Sequence, residues 1–197
     1  MLMAMKKSQF KRIATENEFL QLLKGHKLYR AKDVTFEGLG DGNMYVYTGD
    51  DFEPDLELLE DLEPSGLLIV GSVQTQLLRI SDILVDFGVF CITGDVNCDD
   101  MLYMTESTAV VIGGTLNIEN IFYADCGNSV LHVNAKVRAK LFYNSQCTIE
   151  VGGKQDTAFD DSISVKQLAT LGIAAKNEGA INAAVRAYFD KYGSSDD

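Results

Sequence analysis

The feature that most constrains the fold of this chain is a repeat of about twenty residues between Gly66 and Thr157. Each copy contains an alternating apolar strand, a glycine-containing kink, a second short strand and then a hydrophobic triplet. The kink position recurs at intervals of 23, 20, 21 and 18 residues. It is occupied by Gly71, Gly94, Gly114, Ala135 and Gly153. Repeats with a period of 20 to 50 residues are typical of solenoids and arrays.

Apolar residues flank the kink with a period of two. The positions two and four residues before it are apolar in all five copies, from Leu67 and Ile69 to Ile149 and Val151. This period predicts strands with one buried face. The positions between the apolar residues after the kink are polar and are expected to face water. They are Asp95, Asn97, Thr115, Asn117, Lys136 and Arg138.

Short strands without helical spacers predict a mainly β, single-domain parallel β-helix with about 20 residues per coil. Equivalent residues of successive coils would then stack about 4.8 Å apart and form apolar ladders in the interior. Tyr45, Tyr47 and Gly49 fit the strand and kink positions and predict that the solenoid begins near Met44. An up-and-down barrel or a sandwich is the alternative architecture.

The termini predict α-helical segments. Thr15 to Glu18 form a capping box ahead of an apolar segment that stops at Gly25. Near the C-terminus, an apolar stripe with helical spacing consists of Ile181, Ala184, Val185, Tyr188 and Phe189. We expect an N-terminal cap segment (1–43), the solenoid (44–160) and a C-terminal helical cap (161–197). The C-terminal helix is expected to dock on the end of the solenoid, where an open sheet edge needs cover; alternatively, its stripe binds a partner.

Charge is the main clue to partners. The net charge of −12 argues against nucleic acid and against an anionic membrane. Acidic residues are concentrated in fourteen residues that contain no Lys or Arg, namely Asp50, Asp51, Glu53, Asp55, Glu57, Glu60, Asp61 and Glu63. This acidic segment is either solvated surface or a docking face for a basic protein. Leu56, Leu58 and Leu59 within it require something to bury against.

Three tyrosines recur at a spacing of twenty residues, Tyr103, Tyr123 and Tyr143. We expect them to form an exposed ladder that contacts a partner, because tyrosine is favoured at binding hot spots. The alternative is that this ladder packs under a terminal helix.

Motifs of catalysis are absent from the sequence. No G-x-S-x-G, P-loop or H-E-x-x-H occurs. The aspartate clusters at 95–100 and 156–161 lack the spacing of a calcium loop. A carboxylate pair of Asp99 or Asp100 with Glu119 is conceivable, but no long aromatic cleft accompanies it. His132 is expected on an outward position of a strand. We therefore predict a protein that is not an enzyme and has no cofactor or metal site.

Localisation is predicted from the cysteines and from the N-terminus. Cys126 and Cys147 occupy one position in neighbouring coils, within possible disulfide range. Reduced, buried thiols in a cytoplasmic protein are the favoured interpretation of the four cysteines. No apolar run approaches the roughly 18 residues that span a membrane, and the N-terminus lacks the apolar stretch of a secretory signal.

The segments Ile92 to Val96, Ile112 to Leu116 and Val151 to Gly153 resemble the repeat of bactofilins and related polymer-forming bacterial β-helix proteins. The resemblance covers roughly Gly66 to Thr157. It implies a right-handed β-helix and a non-catalytic role. Two features depart from that family: the coils here are longer and less regular, and helical segments stand at both termini, where polymerising solenoids have open ends.

Two functions are consistent with these features. The first is an acidic, cytoplasmic binding module that masks a basic partner, as an immunity protein masks a toxin domain. The second is a bactofilin-like scaffold that associates with itself, so a homo-oligomer is possible. The acidic segment and the tyrosines are the predicted contact residues of the first hypothesis.

Overall fold

A computed structural model of the protein describes residues 7–28, 42–49, 52, 56–80, 83, 88–152 and 163–192. The chain forms a mainly β solenoid of about five turns, with short helices near both termini. The predicted parallel β-helix is therefore confirmed. Each turn contributes strands to two sheets, and the strands of successive turns pair in parallel.

The first sheet has seven strands in the order β1-β2-β3-β5-β7-β10-β13. The first pairing, between β1 and β2, is antiparallel and the others are parallel. The strands are β1 (Phe10–Ile13), β2 (Asn43–Tyr47), β3 (Pro64–Ile69), β5 (Val89–Ile92), β7 (Ala109–Ile112), β10 (Val130–Val133) and β13 (Thr148–Val151).

The second sheet is formed by the strands that follow the kinks. In the third turn this strand is continuous, whereas in the next two turns it is broken into two parts. The strands are β4 (Val73–Arg79), β6 (Val96–Tyr103), β8 (Leu116–Ile118), β9 (Ile121–Asp125), β11 (Val137–Arg138) and β12 (Leu141–Ser145).

Strand register confirms the predicted ladders. Leu67 pairs with Phe90, which pairs with Val110, and the series continues through Leu131 to Ile149. Tyr45 and Tyr47 begin the same rows, opposite Leu67 and Ile69. Most of these side chains belong to one buried cluster inside the solenoid. Apolar burial along the whole stack therefore stabilises the turns together with the parallel strand pairing between them.

Two of the kink glycines, Gly94 and Gly114, are required by close approach of neighbouring turns. A Cβ atom on Gly94 would lie 2.6 Å from the carbonyl oxygen of Gly71, and one on Gly114 would lie 2.8 Å from that of Gly94. Amide hydrogen bonds join the same residues, with the Gly94 nitrogen 2.7 Å from the Gly71 oxygen. Glycine is needed here because one backbone rests directly on the next.

One turn contains an extra residue in its second strand. Val96 pairs with Leu116 but Met101 pairs with Phe122, so the fourth turn has one more residue between these positions than the third. The extra residue lies where β8 ends and β9 begins. A shift of one residue moves a side chain to the opposite face of a strand. Consequently Tyr123 is level with Leu102, and Tyr103 is level with Ala124.

The N-terminal helix α1 (Glu16–Gly25) begins at the predicted cap. The Thr15 hydroxyl accepts a hydrogen bond from the Glu18 amide at 3.2 Å. Phe19 and Leu23 are buried in a cluster with the outward side chains of the first sheet, which include Leu68 and Val111. The helix therefore covers the flank of the solenoid rather than its end, because the outward positions of this sheet are apolar.

The N-terminal end of the interior is filled by helix α2 (Leu56–Leu62), which the sequence analysis did not predict. This helix lies in the first turn, between β2 and β3. Its Leu59 and Leu62 join the interior cluster, where Phe52 also lies. The expected burial of the leucines in the acidic segment is therefore confirmed for Leu59, and Leu58 is half-buried. The side chain of Leu56 lies outside the described part of the structure.

Residues 163–192, the C-terminal arm, contain two helices. These are α3 (Val165–Ala169), which begins with a capping box of Ser164 and Gln167, and α4 (Ile181–Phe189). The apolar stripe predicted on α4 is confirmed, since Ile181, Val185 and Phe189 are buried. The arm packs on the outer face of the second sheet, against residues such as Leu102, and not across the end of the solenoid. The domain boundaries at 43/44 and 160/161 stay a prediction.

Candidate functional site

The acidic segment is partly described. Asp61 and Glu63 stand at the end of α2 and are exposed, whereas Leu59 and Leu62 of the same helix are buried in the core. The helix therefore presents these two carboxylates from a rigid position. The other members of the segment fall outside the described residues (Asp50, Asp51, Glu53 and Asp55) or have undescribed side chains (Glu57 and Glu60).

A second polar surface lies on the first half of the second sheet, and we call it the open facet. Each of its members is exposed or half-buried. Its side chains form ladders between turns: the Thr115 amide donates to the Asp95 carboxylate at 2.7 Å, and the Asn117 amide group donates to Asn97 at 2.9 Å. Its members are Gln74, Asp95, Asn97, Asp99, Thr115, Asn117, Glu119, Lys136, Arg138 and Lys140.

Charge changes sign along the open facet. The third and fourth turns carry Asp95, Asp99 and Glu119, whereas the fifth turn carries three cations at alternate positions, Lys136, Arg138 and Lys140. The described acids at the other end of the solenoid, Asp61 and Glu63, extend the negative side of this gradient. The described part of the open facet is therefore electrically asymmetric along the solenoid axis, which favours one orientation of a charged partner on this facet.

Two of the three predicted contact tyrosines stack beneath the arm. The rings of Tyr123 and Tyr143 lie 4.7 Å apart with an interplanar angle of 20°, and Phe189 of α4 packs edge-on against Tyr123. Burial and, secondarily, the neighbouring Tyr143 raise the pKa of Tyr123 to about 12. Tyr143 is half-buried. These side chains pack under a terminal helix, as the alternative interpretation of the ladder expected.

The prediction of an exposed Tyr103 is wrong. Tyr103 is fully buried, and its hydroxyl lies 3.1 Å from the Thr108 hydroxyl and from the Thr108 and Val130 carbonyl oxygens. Burial raises the pKa of this phenol. The extra residue of the fourth turn explains the error, because constant spacing in sequence does not mean the same face when turn lengths differ.

Asp100 is the most unusual polar residue that the structure describes. Its side chain is fully buried, yet its carboxylate accepts four hydrogen bonds. The Ile121 amide donates at 3.1 Å, and three donors come from the end of the arm: the Tyr188 hydroxyl at 2.9 Å, the Lys191 ammonium at 3.1 Å and the Tyr192 hydroxyl at 2.5 Å. A buried carboxylate is tolerated when its lone pairs are satisfied in this way. We call this group the Asp100 clasp.

The clasp changes the protonation behaviour of its donors. Burial, followed by the hydrogen bond to Asp100, raises the pKa of Tyr192, and burial also raises the pKa of Tyr188. Burial alone would lower the pKa of Lys191, but hydrogen bonds to the two tyrosines and to Asp100 raise it above its usual value. The Lys191 ammonium also lies 3.6 Å from the centre of the Tyr188 ring, a favourable cation–π contact.

Sequence reasoning missed the clasp. It treated Asp100 as part of a weak aspartate cluster, and it read the arm as a plain apolar stripe. One signal was available: Asp100 stands directly before the apolar run Met101-Leu102-Tyr103, at the position that Leu77, Ile121 and Leu141 occupy in other turns. A lone carboxylate in an apolar row requires donors from elsewhere in the chain.

Asp100 is committed to the clasp and is closed from solvent, so it does not form the carboxylate pair considered with Glu119. Within the described ranges, no three His, Cys, Asp or Glu side chains are placed to hold a metal ion. The second aspartate cluster, at 156–161, lies outside those ranges.

His132 lies on an outward position of β10, as expected. Its Nδ1 atom is 2.9 Å from the Glu150 carboxylate, and its Nε2 atom is 2.9 Å from the Asn134 side-chain oxygen. The histidine is therefore a member of a polar ladder between two turns.

All four cysteines are free thiols and are buried. The thiol of Cys147 hydrogen-bonds with Cys126 of the preceding turn, and this contact, followed by burial, raises the pKa of Cys147. Burial likewise raises the pKa of Cys91 and of Cys98. Thiols held in the protonated form are weak nucleophiles, so these cysteines contribute to packing.

A small cleft of about 200 Å³ opens beside the start of α1. Two hydrogen bonds lie on its rim: the Arg12 guanidinium donates to Asn43 at 2.9 Å, and the Ala14 amide donates to Glu18 at 3.2 Å.

Comparison with protein-family models, with curated proteins and with solved structures finds no match to this chain. Among the described helices, none has the length and apolar character required to cross a membrane.

Proposed function

We propose that this protein is a non-catalytic binding module that masks a basic protein partner, in the manner of an immunity protein that neutralises a toxin domain in the cytoplasm. The observation that carries this proposal is the placement of Asp61 and Glu63. Both are exposed at the end of a helix whose leucines are anchored in the solenoid core. Rigid presentation lowers the entropic cost of binding.

The rest of the surface supports a basic partner. The net charge of −12 gives the whole chain a negative field that accelerates encounter with a cation-rich surface. The acids of the open facet are Asp95, Asp99 and Glu119. They lie in the third and fourth turns, on the side of the facet towards the end of the solenoid that carries Asp61 and Glu63 (the acidic end). The tyrosines no longer belong to this contact surface, because Tyr103 is buried and the other two pack beneath the arm.

Charge reversal tests this proposal. A partner is captured from the native cell and identified by mass spectrometry, and its association rate is measured against the wild type and against Asp61→Lys/Glu63→Lys. We expect the rate to fall by about tenfold at low salt, with the difference shrinking as salt screens the charges. The four-residue reversal of Glu53, Asp55, Glu57 and Glu60 to Lys is expected to have a larger effect of the same kind.

The matched control is Asp125→Lys/Glu106→Lys. Asp125 and Glu106 are also exposed, and their reversal changes the net charge by the same amount away from the acidic segment. Equal effects from the two double variants would mean that net charge alone matters. If neither variant changes the rate or its salt dependence, the docking role of the acidic segment is wrong.

A bactofilin-like scaffold is the second candidate. The observation that favours it is the asymmetry of charge, because the cations Lys136, Arg138 and Lys140 of the fifth turn complement the acids at the opposite end of a second copy. Such a contact would join molecules head to tail and would form open filaments. Light scattering on the purified protein separates the two candidates: a monodisperse monomer or dimer supports masking, whereas large assemblies at neutral pH support the scaffold.

A further inference from the structure

The face beneath the C-terminal arm has the composition of a binding surface. Two rows of outward side chains cross the second half of the second sheet. Every member except Asp100 and Arg79 is aliphatic or aromatic. One row contains Leu77, Asp100, Ile121 and Leu141, and the other contains Arg79, Leu102, Tyr123 and Tyr143.

The arm matches this face with two kinds of contact. Ile181, Val185 and Phe189 of α4 pack on the apolar rows. The turn that follows supplies Lys191 and Tyr192 to the Asp100 carboxylate, together with Tyr188 from the last turn of α4. The apolar contact is non-directional. The buried carboxylate, in contrast, is stabilised only by a helix that places hydrogen-bond donors within reach of its oxygens.

The contact between arm and solenoid is separate from the solenoid core. The buried residues of the arm form a cluster with the outer-face side chains, and the interior ladders form another cluster. Regions held by separate clusters open independently when their local stabilities differ. The contacts that hold the arm are therefore distinct from the inward contacts that join the stacked turns.

We propose that the face beneath the arm is a second protein-binding surface and that the arm is its built-in competitor. The partner is an amphipathic helix whose apolar stripe is followed, within one turn, by a lysine and a tyrosine. A helix without these donors leaves the Asp100 carboxylate buried and unpaired, so it is rejected. The surface is distinct from the acidic end to which the proposed function assigns the basic partner.

The probe for this proposal is a fluorescein-labelled peptide of residues 177–192, added to the full-length protein. The receptor variant Lys191→Met/Tyr192→Phe weakens the arm and leaves the face intact. We expect the peptide to bind this variant at least about tenfold more tightly than the wild type, because the competitor is weakened. The same peptide with Lys191→Met is expected to bind the variant about tenfold more weakly than the unchanged peptide.

Two controls make the result decisive. Adding Asp100→Ala to the receptor variant, which removes the acceptor altogether, is expected to abolish discrimination between the two peptides. Amide hydrogen exchange in β7 and β10 is expected to remain slow in every variant. The proposal is overturned if the wild type and the variant bind the peptide equally or not at all, if discrimination survives Asp100→Ala, or if weakening the arm also releases the interior strands.

Discussion

Two helical segments cover the flanks of the solenoid, and they do so with different chemistry. Helix α1 buries Phe19 and Leu23 on the first sheet, in a cluster whose members are all apolar. The C-terminal arm buries a comparable apolar stripe on the second sheet but also closes over the Asp100 carboxylate. Both segments thus cover an apolar outer face of the solenoid, α1 without a buried charge and the arm with one.

The comparison between α1 and the arm shows which property of the contact depends on apolar burial and which depends on hydrogen bonds. The free energy of apolar burial is proportional to the buried area and depends weakly on direction. The position of α1 is therefore determined only by how well its side chains fit the face that they cover. The four hydrogen bonds to Asp100 require particular donors at particular distances and therefore fix the position of the arm on its face. The purely apolar cover adds stability, and the cover with a clasp adds specificity.

The largest expected effect comes from truncating the anchor of the apolar cover. Phe19→Ala removes a fully buried ring and is expected to lower the free energy of unfolding by about 4 kcal/mol. The matched change in the arm, Phe189→Ala, is expected to open the arm locally while the interior strands stay protected. Urea unfolding and amide hydrogen exchange measure the two effects. Equal loss of protection in β7 from both variants would contradict the difference between the covers.

An intermediate effect is expected from the clasp. Asp100→Ala leaves two hydroxyls and an ammonium without their acceptor, and we expect it to destabilise docking of the arm by about 3 kcal/mol. Asp100→Asn keeps one acceptor oxygen and is expected to cost less. The matched control on the other flank is Cys91→Ala, a small apolar truncation beneath α1, with an expected cost of about 1 kcal/mol. Amide hydrogen exchange in α4 and in α1 measures the loss of docking free energy of the arm and of α1, respectively. If the α4 amides stay protected in Asp100→Ala, the clasp is dispensable for docking.

The smallest effect is a dependence of arm docking on alkaline pH. The pKa values of Tyr123, Tyr188 and Tyr192 are raised in the folded state. Stabilisation by a group with a raised pKa is complete below its unfolded value, about 10 for tyrosine, and is lost as pH rises through the folded value. For Tyr123 that window ends near pH 12. We therefore expect the arm to loosen between these values.

Tyrosinate absorbance and near-ultraviolet circular dichroism follow this transition. Tyr123→Phe isolates the contribution of the clasp tyrosines, and Asp100→Asn is expected to lower their pKa because the carboxylate helps to raise it. The described α1 contains no tyrosine, and in a Cys91→Ala background, which removes the thiol with a raised pKa beneath it, α1 serves as the internal reference. A transition that releases α1 at the same pH would mean that the two covers do not act independently.

Much of the fold could be predicted from the sequence. Inward ladders such as Leu67 to Ile149 were assigned to the correct register, because a strand with one buried face must alternate with a period of two. The predictions of the helix cap at Thr15 and of the apolar stripe on α4 are also confirmed, since both are local patterns. Prediction failed at Tyr103, where one extra residue in a neighbouring turn reversed the face of the side chain.

The placement of the helices was beyond local reasoning. An amphipathic stripe shows that a helix must bury one face, but the free energy of that burial is similar on the end of a solenoid and on its flank. The structure places α1 and the arm on flanks, and it fills the first turn with α2 from within the acidic segment. The contact role of the acidic residues stays a prediction.

The repeat, the inward ladders and the glycine kinks follow from the order of the residues, because each of these depends on spacing along one chain and on sterics between adjacent turns. Which outer faces are covered, and how Asp100 is satisfied, depends instead on packing between distant parts of the chain. Its donors Tyr188, Lys191 and Tyr192 lie about ninety residues away in the chain. A hydrogen-bonded charge needs partners at fixed distances in space, and no periodicity in the sequence encodes those distances.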